Sequence, residues 1–205
     1  MAQSGRTDRE LILDATRKLL VEKGAGELSV SAVMQRAQIS RTVFYRRFDD
    51  VTDVVGEILR MVCDEIAIRS GAWFMDPEAV GSREVIVPNA ISSGAAIAPH
   101  ARLLCAISDA TGSNERLRSL WWSELLQPRI DATVAAIERD QRAGAVRTSL
   151  DARRAAFALT LMGERVALEV LGRRGEAPEE YARFIGPVWE SILFGVDETD
   201  PASGL

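Results

Sequence analysis

Between Arg36 and Phe48 stand four arginines and no acid, with Ser40, Thr42 and Tyr45 set among them. Guanidinium groups neutralise phosphates and fork onto the O6 and N7 atoms of guanine, while hydroxyl and phenol groups donate to phosphate oxygens. The chemistry within reach of this stretch is therefore recognition of a DNA duplex. The 205-residue chain carries a formal net charge of -5, so the positive charge is local. At physiological salt the Debye length is about 8 Å, and acids farther away than that do not repel the phosphates. The plain alternative for the arginines is a solvated helix face.

The elements that must hold these side chains can be read around them. Leu28 to Phe48 reads as two short helices joined by a tight turn, with Ser29 and Ser40 each one residue ahead of a helical run, where an N-cap belongs. Val30, Val33 and Ala37 recur at three- and four-residue steps in the first helix, and Ile39 fills the turn as an apolar plug. In the second, Val43, Phe44 and Phe48 fall on the inner sides. Arg41, Thr42, Tyr45, Arg46 and Arg47 are left on the outside. A support helix precedes the pair: Thr7 and Glu10 fit a capping box, Leu11, Ala15 and Leu19 make an inward stripe, and Gly24 closes it. A long helix follows, with Val51, Val55, Ile58, Val62 and Ile66 on one face.

With this arrangement, and above all with its run Ile-Ser-Arg-Thr-x-x-Tyr-x-x-Phe from Ile39 to Phe48, the segment resembles the TetR family of one-component transcriptional regulators. Trp122 to Arg174, with ERDQRAGAVRT and LTLMGERVALEV inside it, resembles the ligand-binding half of the ethionamide-resistance repressor group. The resemblance implies an all-α fold. Residues 1–50 would be a three-helix helix-turn-helix DNA-binding domain, 51–197 a helical effector-binding and dimerisation domain, and 198–205 a tail. Arg41 and Thr42 at the start of the recognition helix are placed for base edges, and Tyr45, Arg46 and Arg47 for phosphates. Ser29, Ser31 and Ser40 at the helix starts and Val43 complete the expected DNA-facing set. The chain departs from the family pattern in three places. Gln38 stands where the turn usually carries Gly, and must turn left-handed or bend differently. Val43 replaces a usual Thr. Val51 replaces a usual Lys, with Asp49 and Asp50 just before it, so one phosphate contact is missing.

Beyond the long helix the pattern stays helical. A loop around Asp76 to Gly81 precedes a segment kinked by Pro88; Pro99 opens another that runs to about Ala110. Asn114 to Ala143 reads as a long helix whose Pro128 bends it or opens its backbone. The resemblance implies an elongated hydrophobic effector lying between helices. The residues available to line its cavity are Leu59, Val62, Cys63 and Ile66, then Ile86, Val87 and Ile91, then Trp121, Trp122, Leu125, Leu126, Arg129 and Thr133, with Thr160 or Glu164 as polar anchors. Filled core is the competing reading for each of them. Apolar residues on nearly every side of Ala152 to Leu171, and a broad stripe from Pro178 to Phe194, suggest a four-helix bundle between two copies. Its expected contacts are Ala156, Leu159, Val166, Val170, Tyr181, Phe184, Ile185, Val188, Trp189 and Ile192. Packing within one chain is the alternative.

No uninterrupted run of about 18 apolar residues is present, and MAQSGRTDRE lacks the apolar core of a signal peptide. No membrane partner and a cytoplasmic location are expected. Cys63 and Cys105 each fall in an apolar helical pattern and read as buried thiols. His100 has no second His, nearby Cys or visible carboxylate partner, so neither a metal nor a cofactor is expected. There is no HExxH, Walker loop or nucleophile elbow, which argues against an enzyme. The partners expected are a double-stranded DNA operator, a small hydrophobic effector and a second copy of the chain. The rival is an all-helical carrier of hydrophobic ligands, which needs no basic recognition helix.

Overall fold

The computed structural model describes residues 6–71, 73 and 81–195. The expected loop over residues 76–80 and the tail 198–205 lie outside the described residues. Every regular element among the described residues is helical: α1 (Asp8–Lys23), a 3-10 turn (Ala25–Glu27), α2 (Val30–Ala37), α3 (Arg41–Tyr45), α4 (Val51–Arg69), α5 (Arg83–Ile97), a 3-10 turn (Ala98–His100), α6 (Ala101–Thr111), α7 (Glu115–Leu120), a wide π-type turn (Trp121–Leu126), α8 (Gln127–Arg142), α9 (Ala152–Ala167), a second wide turn (Leu168–Arg173) and α10 (Pro178–Phe194). They form two compact units. One runs to Glu65 and resumes over His100–Leu125; the other takes in Ile66–Pro99 and the chain from Leu126. The first unit thus holds most of α4, α6 and α7 beside the helices before residue 50.

In the first unit, the capping box at α1 is present in both directions. Thr7 Oγ1 accepts from the Glu10 N–H at 3.3 Å, and Glu10 Oε2 accepts from the Thr7 N–H at 2.7 Å. Gly24 ends the helix at φ 74°, a conformation that only glycine adopts without strain. Ile12, Leu13, Ala15, Leu19 and Leu20 are buried, and α1 packs on α2, α3 and α6. Asn114 caps α7 by accepting from the Leu117 N–H at 3.1 Å. The helix expected from Asn114 to Ala143 is interrupted where Trp121–Leu126 widens, just ahead of Pro128 in the first turn of α8. A proline has no N–H to donate and its ring crowds the carbonyl four residues back, so the turn before it opens. His100 does have a carboxylate partner: its Nε2 lies 3.2 Å from Glu65 Oε2. The two residues are far apart in sequence, which is why local spacing does not reveal the pair. Cys105 is buried and Cys63 partly so.

The second unit is built on an antiparallel pair. An ideal Cβ on Gly94 of α5 would meet Tyr181 and Pro178 of α10, and one on Gly186 would meet Val87 at 2.9 Å. At the far end Arg83 donates to the carbonyls of Phe194 and Gly195, at 3.4 and 2.6 Å. The stripe on α10 is therefore covered largely by α5, and α9 packs on both α8 and α10. Asp140, fully buried, accepts from Trp73 Nε1 at 2.6 Å and from Arg139 at 3.1 Å. These partners offset the cost of removing its charge from water. Residues 83–111 are long and apolar enough to cross a membrane, but half of that apolar window is buried inside the protein. Pro88, Asn89, Ser92, Ser93 and His100 interrupt it, which is why no continuous apolar run shows in the sequence.

Candidate nucleic-acid interface

Two serine caps and one left-handed residue build the interface. Ser29 Oγ accepts from the Ala32 N–H at 3.1 Å and Ser40 Oγ from the Val43 N–H at 3.3 Å, so each short helix starts on an oxygen that satisfies one of its unpaired amides. Each hydroxyl keeps its own hydrogen for another acceptor. Gln38 takes φ 56°, ψ 43° and its N–H returns to the Met34 carbonyl, so the turn keeps the shape that glycine would give it. The strain is of the order of 1–2 kcal/mol. Val33, Ala37, Phe44 and Phe48 close the inner side.

What this leaves in solvent is the expected set. Arg41, Thr42, Tyr45, Arg46 and Arg47 are exposed on and just after α3, and Ser29, Ser31 and Ser40 are exposed at the helix starts. Val43 is half-buried between the two sides. The Arg41 guanidinium lies 5.3 Å from the Tyr45 ring centroid. That ring stands edge-on to Phe44 at 5.4 Å, and Phe44 is tilted against Phe48 at 6.2 Å. A line of aromatic contacts thus runs from the core to Arg41. Arg46 and Arg47 make no ion pair among the described residues. Arg36 is different: it holds Glu22 of α1 at 2.5 Å. That pair draws the Glu22 carboxyl below its usual range and the Arg36 guanidinium above its own. Arg36, though also exposed, is engaged in tying α2 to α1.

At the start of α4, Asp50 Oδ1 accepts from the Asp53 N–H at 3.0 Å and Asp53 Oδ2 from the Asp49 N–H at 3.1 Å. Arg116 of α7 pairs with Asp50 at 2.8 Å and also with Asp53. Local sequence pattern carries no sign of this guanidinium, which comes from far along the chain.

The expected effector residues are divided between the units. Leu59, Val62 and Trp121 are buried in the first, with Cys63 and Leu125 half-buried and Trp122 40% exposed. In the second, Ile66, Ile86, Leu126, Thr133 and Thr160 are buried, and Val87, Ile91, Arg129 and Glu164 half-buried. Val87 packs on Gly186 of α10. The Thr133 hydroxyl donates to the Arg129 carbonyl at 2.8 Å, whereas Thr160 Oγ1 is buried with no hydrogen-bond partner among the described residues. Ser93 Oγ on α5 is in the same condition, a polar group that sequence reading passed over. A cleft of about 430 Å³ opens in the first unit beside Leu20, Gly24, Val55, Ile107 and Leu117; none of the expected effector residues lines it.

Of the ten residues expected at a dimer interface, Ala156, Leu159, Val170, Tyr181, Ile185 and Trp189 are already buried within the single chain. Val166 and Ile192 are half-buried. The stripe on α10 is wide enough for two faces, and α5 covers the inner one. Tyr181 shows the effect: burial pushes its phenol above the ordinary range, partly opposed by the charge of Arg129. Only Phe184 (52% exposed) and Val188 (38%) stay open, joined by Phe157 of α9 (44%), which the sequence reading did not single out. A surface phenylalanine inside an apolar helix pattern gives no sign in sequence that it points outward.

A sequence profile of bacterial regulatory proteins of the tetR family matches residues 12–58, the stretch that holds both caps, α3 and the start of α4. A second profile, the C-terminal domain of the transcriptional regulator EthR, matches residues 89–189. The chain is 29% identical over 202 residues to the HTH-type transcriptional regulator EthR of Mycolicibacterium smegmatis, covering 95% of this chain and 90% of that protein. Its fold is shared with a TetR-family regulator from Syntrophomonas wolfei (TM-score 0.78, 14% identity, 94% of this chain and 98% of that one). It is also shared with SmeT in its triclosan complex (TM-score 0.71, 19% identity, 96% and 98%). The chain is thus similar to bacterial regulatory proteins of the tetR family over residues 12–58 and to the C-terminal domain of the transcriptional regulator EthR over residues 89–189.

Proposed function

We propose that this protein is a cytoplasmic repressor that occupies a pseudo-palindromic DNA operator as a homodimer and leaves it when a small hydrophobic effector binds the C-terminal helices. The observation that carries the reading is the exposed face of α3. A five-residue helix keeps Arg41, Thr42, Tyr45, Arg46 and Arg47 in solvent, with its cap, its left-handed lead-in and its buried aromatics all fixing its pose. Arg41 and Thr42 read base edges; Tyr45, Arg46 and Arg47 hold phosphates, with Ser29 and Ser31 adding hydroxyl contacts. Thr160 is favoured as the polar anchor for an effector, because a buried hydroxyl without a partner is costly and a ligand would satisfy it. The exposed apolar side chains Phe157, Phe184 and Val188 are offered to the second copy.

The rival carrier without specific DNA binding is separated by substitution. Arg41→Ala with Arg46→Ala is expected to abolish retention of a duplex from upstream of the protein's own gene, while thermal stabilisation by long-chain hydrophobic compounds persists. Equal binding of wild type to that duplex and to a scrambled one would favour the carrier.

A further inference from the structure

We infer that Arg116, on a helix outside the DNA-binding segment, is a positioning residue for operator affinity: it masks the carboxylates that would otherwise repel the phosphates next to α3. The inference rests on the reading of α3 as the DNA-facing helix. Asp49, Asp50 and Asp53 follow Arg46 and Arg47 within a few residues, and among the described residues the ion-pair partner of Asp50 and Asp53 is Arg116, not an arginine of residues 36–53. Left alone, three acids beside two phosphate-binding arginines cancel most of their attraction. At this proximity added salt weakens the repulsion progressively without abolishing it at physiological strength. Arg47, Asp49, Asp53 and Arg116 line one crevice of about 330 Å³, which places these acids beside an arginine of the exposed set. Arg116 engages both Asp50 and Asp53, while the acids also cap the start of α4. A chain with Val51 between these acids therefore keeps the start of α4 tolerable to DNA with a guanidinium borrowed from α7.

The same geometry makes affinity depend on α7. Gly56 of α4 lies against Leu120, and Arg60 pairs with Glu124 at 3.5 Å, so Arg116, Leu120 and Glu124 follow Asp53, Gly56 and Arg60 in step along the two helices. The segment bearing Glu124 also carries Trp121 and Trp122. A shift of this segment that parts Arg116 from Asp50 and Asp53 uncovers the carboxylates and lowers DNA affinity with α3 unchanged.

The test uses the full-length protein, a duplex from upstream of its own gene and a random-sequence duplex, with titrations over a range of salt. Arg116→Gln is expected to weaken binding to both duplexes roughly tenfold at low salt, the loss shrinking as salt rises. Adding Asp50→Asn and Asp53→Asn to it is expected to restore binding, because asparagine still caps the helix. The same two substitutions beside an intact Arg116 are expected to bind at least as tightly as wild type. A purely structural clamp behaves otherwise: Arg116→Gln and the Asp→Asn pair would each weaken binding, independently of salt and without mutual rescue, and that result overturns the inference. Unchanged binding by Arg116→Gln overturns it as well, while the regulator reading stands. Failure of the wild type to bind either duplex overturns both.

Discussion

At the scale of single residues, the recognition segment was largely legible because its signals are local. Ser29 and Ser40 announce their helices by type and spacing, and both accept the expected amide. Gln38 is the one non-glycine residue at positive φ among the described residues. Gln38→Gly is expected to raise stability, since left-handed strain of about 1–2 kcal/mol is relieved and the freer unfolded chain returns about 0.5–1 of it. Chemical denaturation measures the net gain, and a loss on substitution would mean the Gln38 side chain has a role of its own. The stack of Arg41 on Tyr45 separates two functions of one ring. Tyr45→Phe is expected to keep the sequence preference and weaken binding uniformly through loss of the phenol. Tyr45→Leu is expected also to relax the preference at the base pair that Arg41 is proposed to read, where a bidentate contact is worth about 1–3 kcal/mol. Binding to a panel of single-base operator variants distinguishes them. What sequence could not reveal at this scale are pairs made across the fold, such as His100 with Glu65 and Arg116 with Asp50, for which no local pattern exists.

At the scale of elements, helix existence was legible and helix partnership was not. The span Pro178–Phe194 of α10 follows from its apolar stripe, but the stripe says nothing of α5 lying along it. Small residues mark that contact only once the partner is known: Gly94 against Tyr181 and Pro178, Gly186 against Val87. Gly94→Val is expected to destabilise the protein by about 1–3 kcal/mol through overpacking, since part of what it meets is backbone. The control Ala95→Val, at an exposed position of the same helix, should cost little. Unchanged stability in the Gly94 variant would mean the two helices can separate freely. Tyr181, enclosed in the same place, makes stability sensitive to alkali. Its folded pKa lies above the ordinary 10.0, so its contribution is complete below that pH and is lost as pH rises through the folded value. Tyr181→Phe should flatten the alkaline limb of a stability-against-pH curve and leave the neutral region level. Pro128 likewise called for either a bend or an opened backbone, and the structure shows a wide turn ahead of the proline.

At the scale of the whole molecule, self-association and DNA binding are one question, because a two-fold pair presents two copies of α3. The single chain does not cover every apolar side of α9, since Phe157 stays exposed, and a second copy would cover it together with Phe184 and Val188 of α10. Phe157→Glu with Phe184→Glu is expected to yield a folded monomer by sedimentation that no longer retains the operator duplex, whereas Trp189, part of the chain's own core, cannot be tested this way without unfolding. The measurement that bears most directly on the whole account is a hydroxyl-radical footprint of the purified protein on DNA from upstream of its own and the adjacent gene. Two protected half-sites related by pseudo-palindromy are expected, with centres about 34 Å apart or modestly more, and both patches should be lost with Arg41→Ala. Protection that is uniform along the fragment and indifferent to Arg41 would contradict it.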